Sequence, residues 1–491
     1  MKNLDVFLIF LAIRIASVFL VQTYFVPDEY WQSLEVAHHQ VFKYGHLTWE
    51  WSKGIRSYSP IIIVSGLFKI LQLLQLDTAE ILIYSPRLLQ ALLSAYSDLS
   101  FYKWSGTKKW AIFCIANSWF WYYTGSRTLI NSLECALTTI ALSKFPWPGK
   151  GIEENSIFIW IVAVIFFIRP TSALIWLPLC IYHLIINKNS VLNVVLKTYL
   201  PIGLFVFALS VLVDSLCHGS FVVTLYEFLK FNIFEDVGSF YGVQPWHWYL
   251  STGFPAILGI QFLPFMSAST VVLKNRKVHP NELAMLGTIV FALTMYSCLP
   301  HKEFRFILSL LPLVLYISSR FLSAWSRKAS RAAVWVVATV IFVGNVVPMW
   351  YLGMVHQRGT LDVMTSLRQI SHKNPQQTSL LFLMPCHSTP LYSHLHINVT
   401  TRFLTCLPNL NNIDGYVDEA DQFYKNPSAW LRQNYPPNGT LPSHIILFDV
   451  LEANISDILS RYKQTHEIFH TDMPATSRIG KYVLIHKRLD Y

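Results

Sequence analysis

Charge is what this sequence has least of. Of its 491 residues only 13% are Asp, Glu, Lys or Arg, against 53% hydrophobic and 15% aromatic, and the mean hydropathy is +0.39. Soluble domains carry about 25% charged residues, so a soluble globular chain is excluded. The apolar runs are continuous rather than alternating, which also excludes a transmembrane β-barrel. No Walker loop and no G-x-G-x-x-G opens a helix, so no nucleotide site is indicated. No D-x-D is present that would hold a metal-bound nucleotide. The seven cysteines form no C-x-x-C, which argues against zinc. There is no internal repeat and no low-complexity tract, and the final KRLDY carries no retention tetrapeptide.

The charge that is present is unevenly placed. The net charge is +10, but the cations gather in short links such as Lys108-Lys109, Lys274-Asn275-Arg276-Lys277 and Arg327-Lys328. That is the positive-inside pattern of membrane proteins, and no single basic face suggests nucleic acid. A bilayer is crossed by about 20 apolar residues. Apolar stretches lie near 6–22, 59–76, 80–100, 110–123, 129–145, 157–168, 172–187, 197–214, 249–272, 283–300, 304–320 and 333–353. The first reads as an uncleaved signal anchor. The expected fold is an all-α polytopic membrane protein with about 11–12 transmembrane helices and a small α/β C-terminal domain. Residues 1–353 form the membrane part, with polar loops 23–58 and 215–248, and 354–491 form the tail domain. In the tail, 379–384, 445–450 and 482–486 read as strands, and 418–433 and 455–464 as helices.

Topology follows from three Asn-X-Ser/Thr sequons, Asn398, Asn438 and Asn454, all in the tail. Their clustering suggests a lumenal tail. Counting back places the basic links in the cytosol and the 215–248 loop and His301–Arg305 in the lumen, with loop 23–58 lumenal as well. Twelve full crossings starting in the cytosol cannot end in the lumen. One passage is therefore broken or re-entrant, and Arg169-Pro170-Thr171 is the candidate, because proline interrupts a helix. Cys386 and Cys406 lie in the tail, where an oxidising lumen would let them pair.

Two clusters can carry chemistry. Asp28-Glu29 lies just past the first apolar span. A carboxylate there suits a general base, its proton affinity raised by partial desolvation; a helix N-cap would use the same residues structurally. A helix opening at Asp28 would place Gln32 and Glu35 on its face, with Tyr30 adjacent. His301-Lys302-Glu303-Phe304-Arg305 puts four ionisable groups at the boundary of two apolar stretches. Cations there suit a phosphate, with Arg305 offering a bidentate grip; a self-paired interfacial cluster is the structural alternative. Among the intramembrane arginines, Arg127 could share a face with Glu134 and meet an anionic lipid, whereas Arg87 and Arg169 serve equally as helix-end residues. Trp246 and His247, in GSFYGVQPWHWY, suit stacking on sugar rings or an interfacial belt. No metal site is expected.

The stretches FVPDEYWQSLEVAHHQVFKYGHLTWEW and LPHKEFRFILSLLP resemble glycosyltransferase family 22, and TGSRTLINSLECALTTIAL and PWHWYLSTGFPAILG are similar to it too. Many members read HKEER where this chain has Phe304 in place of a second carboxylate. The resemblance implies a GT-C fold in the endoplasmic reticulum membrane, with a lumenal active site, and an inverting α-1,2-mannosyltransferase. Its donor would be dolichyl phosphate mannose, and no cofactor or metal would be required. The tail stretch FLMPCHSTPLYSHLH is similar to members that add the third mannose to the GPI-anchor precursor. Asp28, or Glu29, would then be the base, His301, Lys302 and Arg305 would meet the donor phosphate, and Glu303 would be a further substrate-binding residue. Partners implied are the donor lipid, the GPI precursor glycolipid and membrane lipids, not nucleic acid. The competing expectations are a family member acting on the dolichol-linked N-glycan precursor or adding a fourth GPI mannose, and, remotely, a proton-coupled transporter, which would show repeated halves.

A lumenal tail makes Asn398, Asn438 and Asn454 glycosylation acceptors. Endoglycosidase digestion of the expressed protein should increase its gel mobility, and Asn→Gln replacement at an occupied site should do the same. No mobility change from either treatment would remove the basis of the topology.

Overall fold

The computed structural model describes residues 2–149, 156–187, 189–411, 413–436 and 439–491; the expected acceptor Asn438 lies outside them. The chain forms two compact units.

The first unit comprises Met1–Phe19, Lys53–Ile62 and Pro86–Met349 and is helical. Among the described residues of the whole chain, six helical stretches have the length and apolarity to cross a membrane: Asn3–Leu20, Val191–His218, Tyr249–Lys274, Pro280–Cys298, Phe304–Ser326 and Arg331–Lys373. Ser59–Leu73, Ile157–Ile168 and Pro170–Ile186 are apolar but shorter. The remaining expected stretches are interrupted or charged, for physical reasons. The 110–123 run breaks at Asn117-Ser118 into helices Lys109–Ala116 and Trp119–Thr124. The break expected at Pro170 is present, since Arg169 leaves the helical region at φ −144°. Ala79–Ser105 is long enough to span but carries Asp98 in its interior.

Buried charge in this unit is paired locally. Asp98 accepts from Arg14 Nε at 2.7 Å and from Trp121 Nε1 at 2.8 Å, while Arg14 Nη1 reaches the Trp121 carbonyl at 3.2 Å. Asp214, fully buried, accepts from the backbone of Tyr58 at 2.8 Å and from the hydroxyls of Ser57 and Thr224 at 2.9 and 2.8 Å. A buried carboxylate without such donors would be costly, so these contacts fix where the chain enters and leaves its helices.

The second unit comprises Leu20–Ser52, Ile63–Ser85 and Trp350–Tyr491. Its centre is a five-stranded sheet: β1 Ser379–Leu383, β2 Thr400–Phe403, β3 His444–Phe448, β4 Tyr462–Phe469 and β5 Tyr482–Arg488. The order is β2-β1-β3-β5-β4, with β2, β1 and β3 parallel and β5 and β4 antiparallel. β3 reads HIILF and every residue in it is buried, as suits a strand covered on both faces. Leu381, Leu383, Phe423, Trp430, Ile445 and Leu447 form the core on one side. Cys386 and Cys406 form a disulfide.

Two tail expectations need correction. The 455–464 run is helical only to Leu459; from Tyr462 it is β4, recruited by seven pairings with β5 that override its helical pattern. The 418–433 run is two helices, Glu419–Lys425 and Pro427–Asn434, divided where Asn426 caps the second by accepting from Ala429 N.

The N-terminal loop is laced to this tail. Gln22 N and Thr23 Oγ1 donate to the carbonyls of Gly353 and Leu352 at 2.8 and 2.6 Å. Trp31 Nε1 donates to the Thr389 carbonyl at 3.0 Å, and His38 Nε2 meets His396 Nδ1 at 3.0 Å. At the centre, Glu35 Oε1 accepts from Leu391 N at 2.7 Å, Ser393 N at 3.1 Å and Ser393 Oγ at 2.6 Å. Burial raises the proton affinity of Glu35, and these donors oppose the rise.

Two consequences are measurable. Glu35→Leu leaves the buried backbone N–H groups of Leu391 and Ser393 without this acceptor, each costing roughly 1–3 kcal/mol. It should lower the melting temperature of the detergent-solubilised protein, and Glu35→Gln, which keeps one oxygen, should lower it less; an unchanged melt for Glu35→Leu would refute the anchoring role. Second, burial depresses His38 to about 3 and His444 and His470 to about 4. The unfolded chain binds these protons near pH 6.5 and the folded chain does not, so stability is full above that pH and falls as pH drops from about 6.5 toward 4. Melting temperatures should therefore decline from pH 7 to pH 5, and each His→Gln replacement that keeps the fold should flatten the decline.

Candidate active site

The acidic turn belongs to the second unit. The Pro27 carbonyl accepts from Tyr30 N and Trp31 N at 3.0 and 2.9 Å, which starts the helix that Pro27-Asp28 suggested. Its first stretch, Tyr30–Leu34, is π-helical, and Glu35–Phe42 follows as α-helix. Wider turns shift the register, so Gln32 and Glu35 do not act together as an α-helical face would have them. Gln32 donates to Thr48 Oγ1 and Glu50 Oε1 at 3.2 and 3.0 Å, within the loop. Glu35 is spent on the tail anchor and Tyr30 on packing, its ring 5.3 Å from Tyr24 and 5.4 Å from His394. π-Helical insertions recur at functional sites, and here one follows directly on Asp28-Glu29. The two carboxylates are not equivalent: Glu29 is buried, whereas Asp28 is partly exposed.

A residue that sequence reasoning did not single out stands beside Asp28. His387 takes a left-handed φ of +57° next to the disulfide, its ring 4.6 Å from Trp31 and 5.9 Å from Phe403. Its carbonyl accepts from the Tyr24 hydroxyl. Burial lowers its proton affinity to about 4, and the charge of Asp28 opposes this only in part, so the imidazole is neutral at neutral pH. The signal was in the sequence, since His387 falls inside MPCHSTP, but nothing in its spacing tied it to Asp28.

The cationic cluster belongs to the first unit. Glu303 is its hub: Arg305 grips it in bidentate fashion, Nε to Oε2 at 2.7 Å and Nη2 to Oε1 at 2.6 Å, and His301 Nε2 reaches Oε1 at 3.0 Å. Burial would raise the proton affinity of Glu303, but Arg305 and His301 outweigh it and hold the carboxylate well below its usual range. For His301, burial acts to lower the affinity, and the Glu303 contact reverses this to a net rise.

The loop before Tyr249 is stitched to this cluster by backbone. His301 Nδ1 meets the Gly242 carbonyl at 2.9 Å, Gln244 N donates to Pro300 O at 3.0 Å, and Lys302 Nζ donates to Gln244 O at 3.0 Å and to Leu299 O. Lys302 thus spends two of its three N–H donors on carbonyls. Tyr249 Oη, fully buried, donates to the Glu303 carbonyl at 3.1 Å and accepts from Glu303 N at 3.2 Å. Of the aromatic run, Tyr249 and Trp248 reach the cluster, the latter 4.8 Å from Phe304. Trp246 and His247 are exposed, and His247 bonds Ser251 Oγ at 3.2 Å.

The expected pairing of Arg127 with Glu134 is not what forms. Arg127 is buried with Nε on the Tyr123 carbonyl at 2.9 Å and its guanidinium over the Tyr123 ring. Glu134 pairs instead with Arg169 Nη1, Oε2 to nitrogen 3.0 Å. The helix break at Pro170 turns Arg169 toward Glu134, which a straight helix would not do. The Arg14–Asp98 pair, within an apolar span, also escaped sequence reading, because its partner lies 84 positions away. Asn398 and Asn454 are exposed. Among the described residues no three His, Cys, Asp or Glu side chains come together as metal ligands would.

Comparison with known proteins bears on this arrangement. A family model described as the Alg9-like mannosyltransferase family matches residues 5–396. A Drosophila melanogaster protein named GPI mannosyltransferase 3 is 52% identical over 96% of this chain and 85% of its own length. The Homo sapiens protein named GPI alpha-1,2-mannosyltransferase 3 is 41% identical over 99% of this chain and 87% of its own. The Yarrowia lipolytica protein named GPI mannosyltransferase 3 is 33% identical over 95% and 93%. Among solved structures, ArnT from Cupriavidus metallidurans, bound to undecaprenyl phosphate, superposes with a TM-score of 0.60 at 11% identity, over 98% of this chain and 97% of that one. That likeness concerns the fold, which is of the GT-C type. Matched over most of its length, and carrying both the acidic turn and the cationic cluster, this multi-pass membrane chain belongs to the Alg9-like mannosyltransferase family.

Proposed function

We propose that this protein transfers mannose from dolichyl phosphate mannose to the 2-hydroxyl of a GPI precursor already carrying two mannoses, adding the third in α-1,2 linkage at the lumenal face of the endoplasmic reticulum. The observation that carries the reading is the near full-length identity to proteins of that name from animals to yeast. The donor sugar is β-linked and the product bond is α, so the chemistry is one inverting displacement. The acceptor oxygen attacks the anomeric carbon, the bond from that carbon to the phosphate oxygen breaks, and dolichyl phosphate leaves with the electron pair.

The acceptor proton goes to Asp28 in our assignment, since Glu29 is the buried member of the pair. His387, kept neutral by burial, feels the charge of that base. The phosphate leaves against positive charge, for which His301, Arg305 and the third N–H of Lys302 are the groups we assign. Glu303 holds the first two in register. Charge on the leaving group is met by side chains, so the reaction as written requires no metal.

In cells lacking addition of the third GPI mannose, the wild-type chain should restore GPI-anchored proteins at the surface. Asp28→Asn should be expressed at wild-type level and should lower mannose transfer in microsomes by roughly 10²–10⁴-fold, the usual contribution of a general base. Full transfer by Asp28→Asn would remove that residue from the mechanism. Restoration of N-glycan precursors, with GPI proteins still absent from the surface, would replace the acceptor with the dolichol-linked oligosaccharide.

A further inference from the structure

Arg169 and Glu134 have no part in the reaction as described above, yet their contacts lead into the cationic cluster. Glu134 is buried on helix Ile130–Lys144, and its Oε2 lies 3.0 Å from Arg169 Nη1. Arg169, also buried, is fixed further by Nε donating to Thr171 Oγ1 at 2.9 Å, at the break before Pro170. Its guanidinium lies 5.5 Å from the centroid of Phe306, and the guanidinium of Arg305 lies 5.4 Å from the same ring. His301 meets that ring edge-on at 5.6 Å, and Tyr296 stacks on it at 6.3 Å. Tyr296 Oη closes the circuit on the Thr171 carbonyl at 3.5 Å. Phe306 therefore touches two arginines, each neutralised by its own carboxylate: Arg169 by Glu134 and Arg305 by Glu303.

We infer that Glu134 and Arg169 are positioning residues for the donor phosphate, with Glu134 holding Arg169 off Glu303. The inference rests on the reading of the cluster as the donor-phosphate site. The physical reason is competition. Glu303 has two oxygens, and Arg305 and His301 already occupy them. The guanidinium of Arg169 lies on the same aromatic ring as that of Arg305, and once released from Glu134 it is free to compete for Glu303. Capturing it would displace Arg305 or His301 and misalign the cations that meet the phosphate. A pair that only held helices together would matter for the amount of folded enzyme and not for its affinity for one substrate.

That distinction sets the experiment. Glu134→Gln, in purified full-length protein normalised to folded enzyme, should raise KM for dolichyl phosphate mannose by about tenfold or more while leaving KM for the acceptor glycolipid within twofold. Removing one partner of a buried pair is destabilising, whereas removing both charges is often tolerated. The double variant Glu134→Gln/Arg169→Gln therefore serves as the folding control: Arg169 can no longer compete for Glu303, so donor KM should return to within threefold of wild type. A purely structural role predicts reduced yield with both KM values at wild type in Glu134→Gln, and that result overturns the inference. So does a donor KM that stays raised in the double variant. Thermal stabilisation by dolichyl phosphate separates the two readings. If it is absent in the wild-type protein, the donor-phosphate site itself is wrong. If it is present in wild type and undiminished in Glu134→Gln, only the positioning role falls.

Discussion

One carboxylate oxygen, Oε1 of Glu35, determines how the second unit is built. It accepts three hydrogen bonds from Leu391 and Ser393, residues more than 350 positions further along the chain. A buried carboxylate must find donors locally, because water is not there to supply them. Those donors lie on the tail, so the loop and the tail form one folding unit. The acidic turn begins seven residues before Glu35 and is framed by the same lacing, with Trp31 Nε1 on Thr389 and Tyr24 Oη on His387. The turn that carries Asp28 is therefore tied to the tail within the second unit.

The first unit obeys the same constraint with charge on both sides. Arg14 meets Asp98, Arg169 meets Glu134, and Arg305 meets Glu303. Buried ion pairs of this kind contribute little net stability, because desolvation cancels much of the attraction, but breaking one by removing a single partner is expensive. Their value lies in geometry. The first two join segments distant in sequence, the third braces a single turn, and the last two converge on one aromatic ring, Phe306. Phe304, between Glu303 and Arg305, packs against Trp248. Glu303 is the acidic hub that Arg305 and His301 share.

Much of this was legible in the sequence, for definite reasons. The membrane class followed from low charge and long apolar runs, which no soluble fold tolerates. The break at Pro170 and the strands β1, β3 and β5 were readable because proline and buried apolar runs act locally. β4 was not, because YKQTHEIF has no apolar periodicity of its own and becomes a strand only by pairing with β5. The acidic turn and the HKEFR cluster were found as motifs, but the partners of their members were not. Gln32, Glu35 and Lys302 looked like ligands for a substrate and are bonded mainly within the protein. Tyr249 and His387 were not singled out, yet Tyr249 bonds the backbone of Glu303 and His387 feels the charge of Asp28. Composition reports which residues are costly to bury; only the fold reports what they are buried against.

His387 carries the chemical consequence furthest. A protonated imidazole beside a carboxylate stabilises its anion and weakens it as a base, whereas a neutral imidazole adds a dipole without that penalty. Burial against Trp31 and Phe403 keeps His387 neutral at the pH of a neutral compartment. On the cationic side the balance is reversed: Glu303 raises the proton affinity of His301, favouring its charged form. Two histidines of the same intrinsic chemistry are thus set to opposite states by their surroundings, one uncharged near Asp28 and one inclined to charge beside Glu303. The transfer proposed above, with a phosphate as leaving group, would draw on that division. It is achieved with side chains whose protonation is fixed by burial in one case and by a carboxylate in the other.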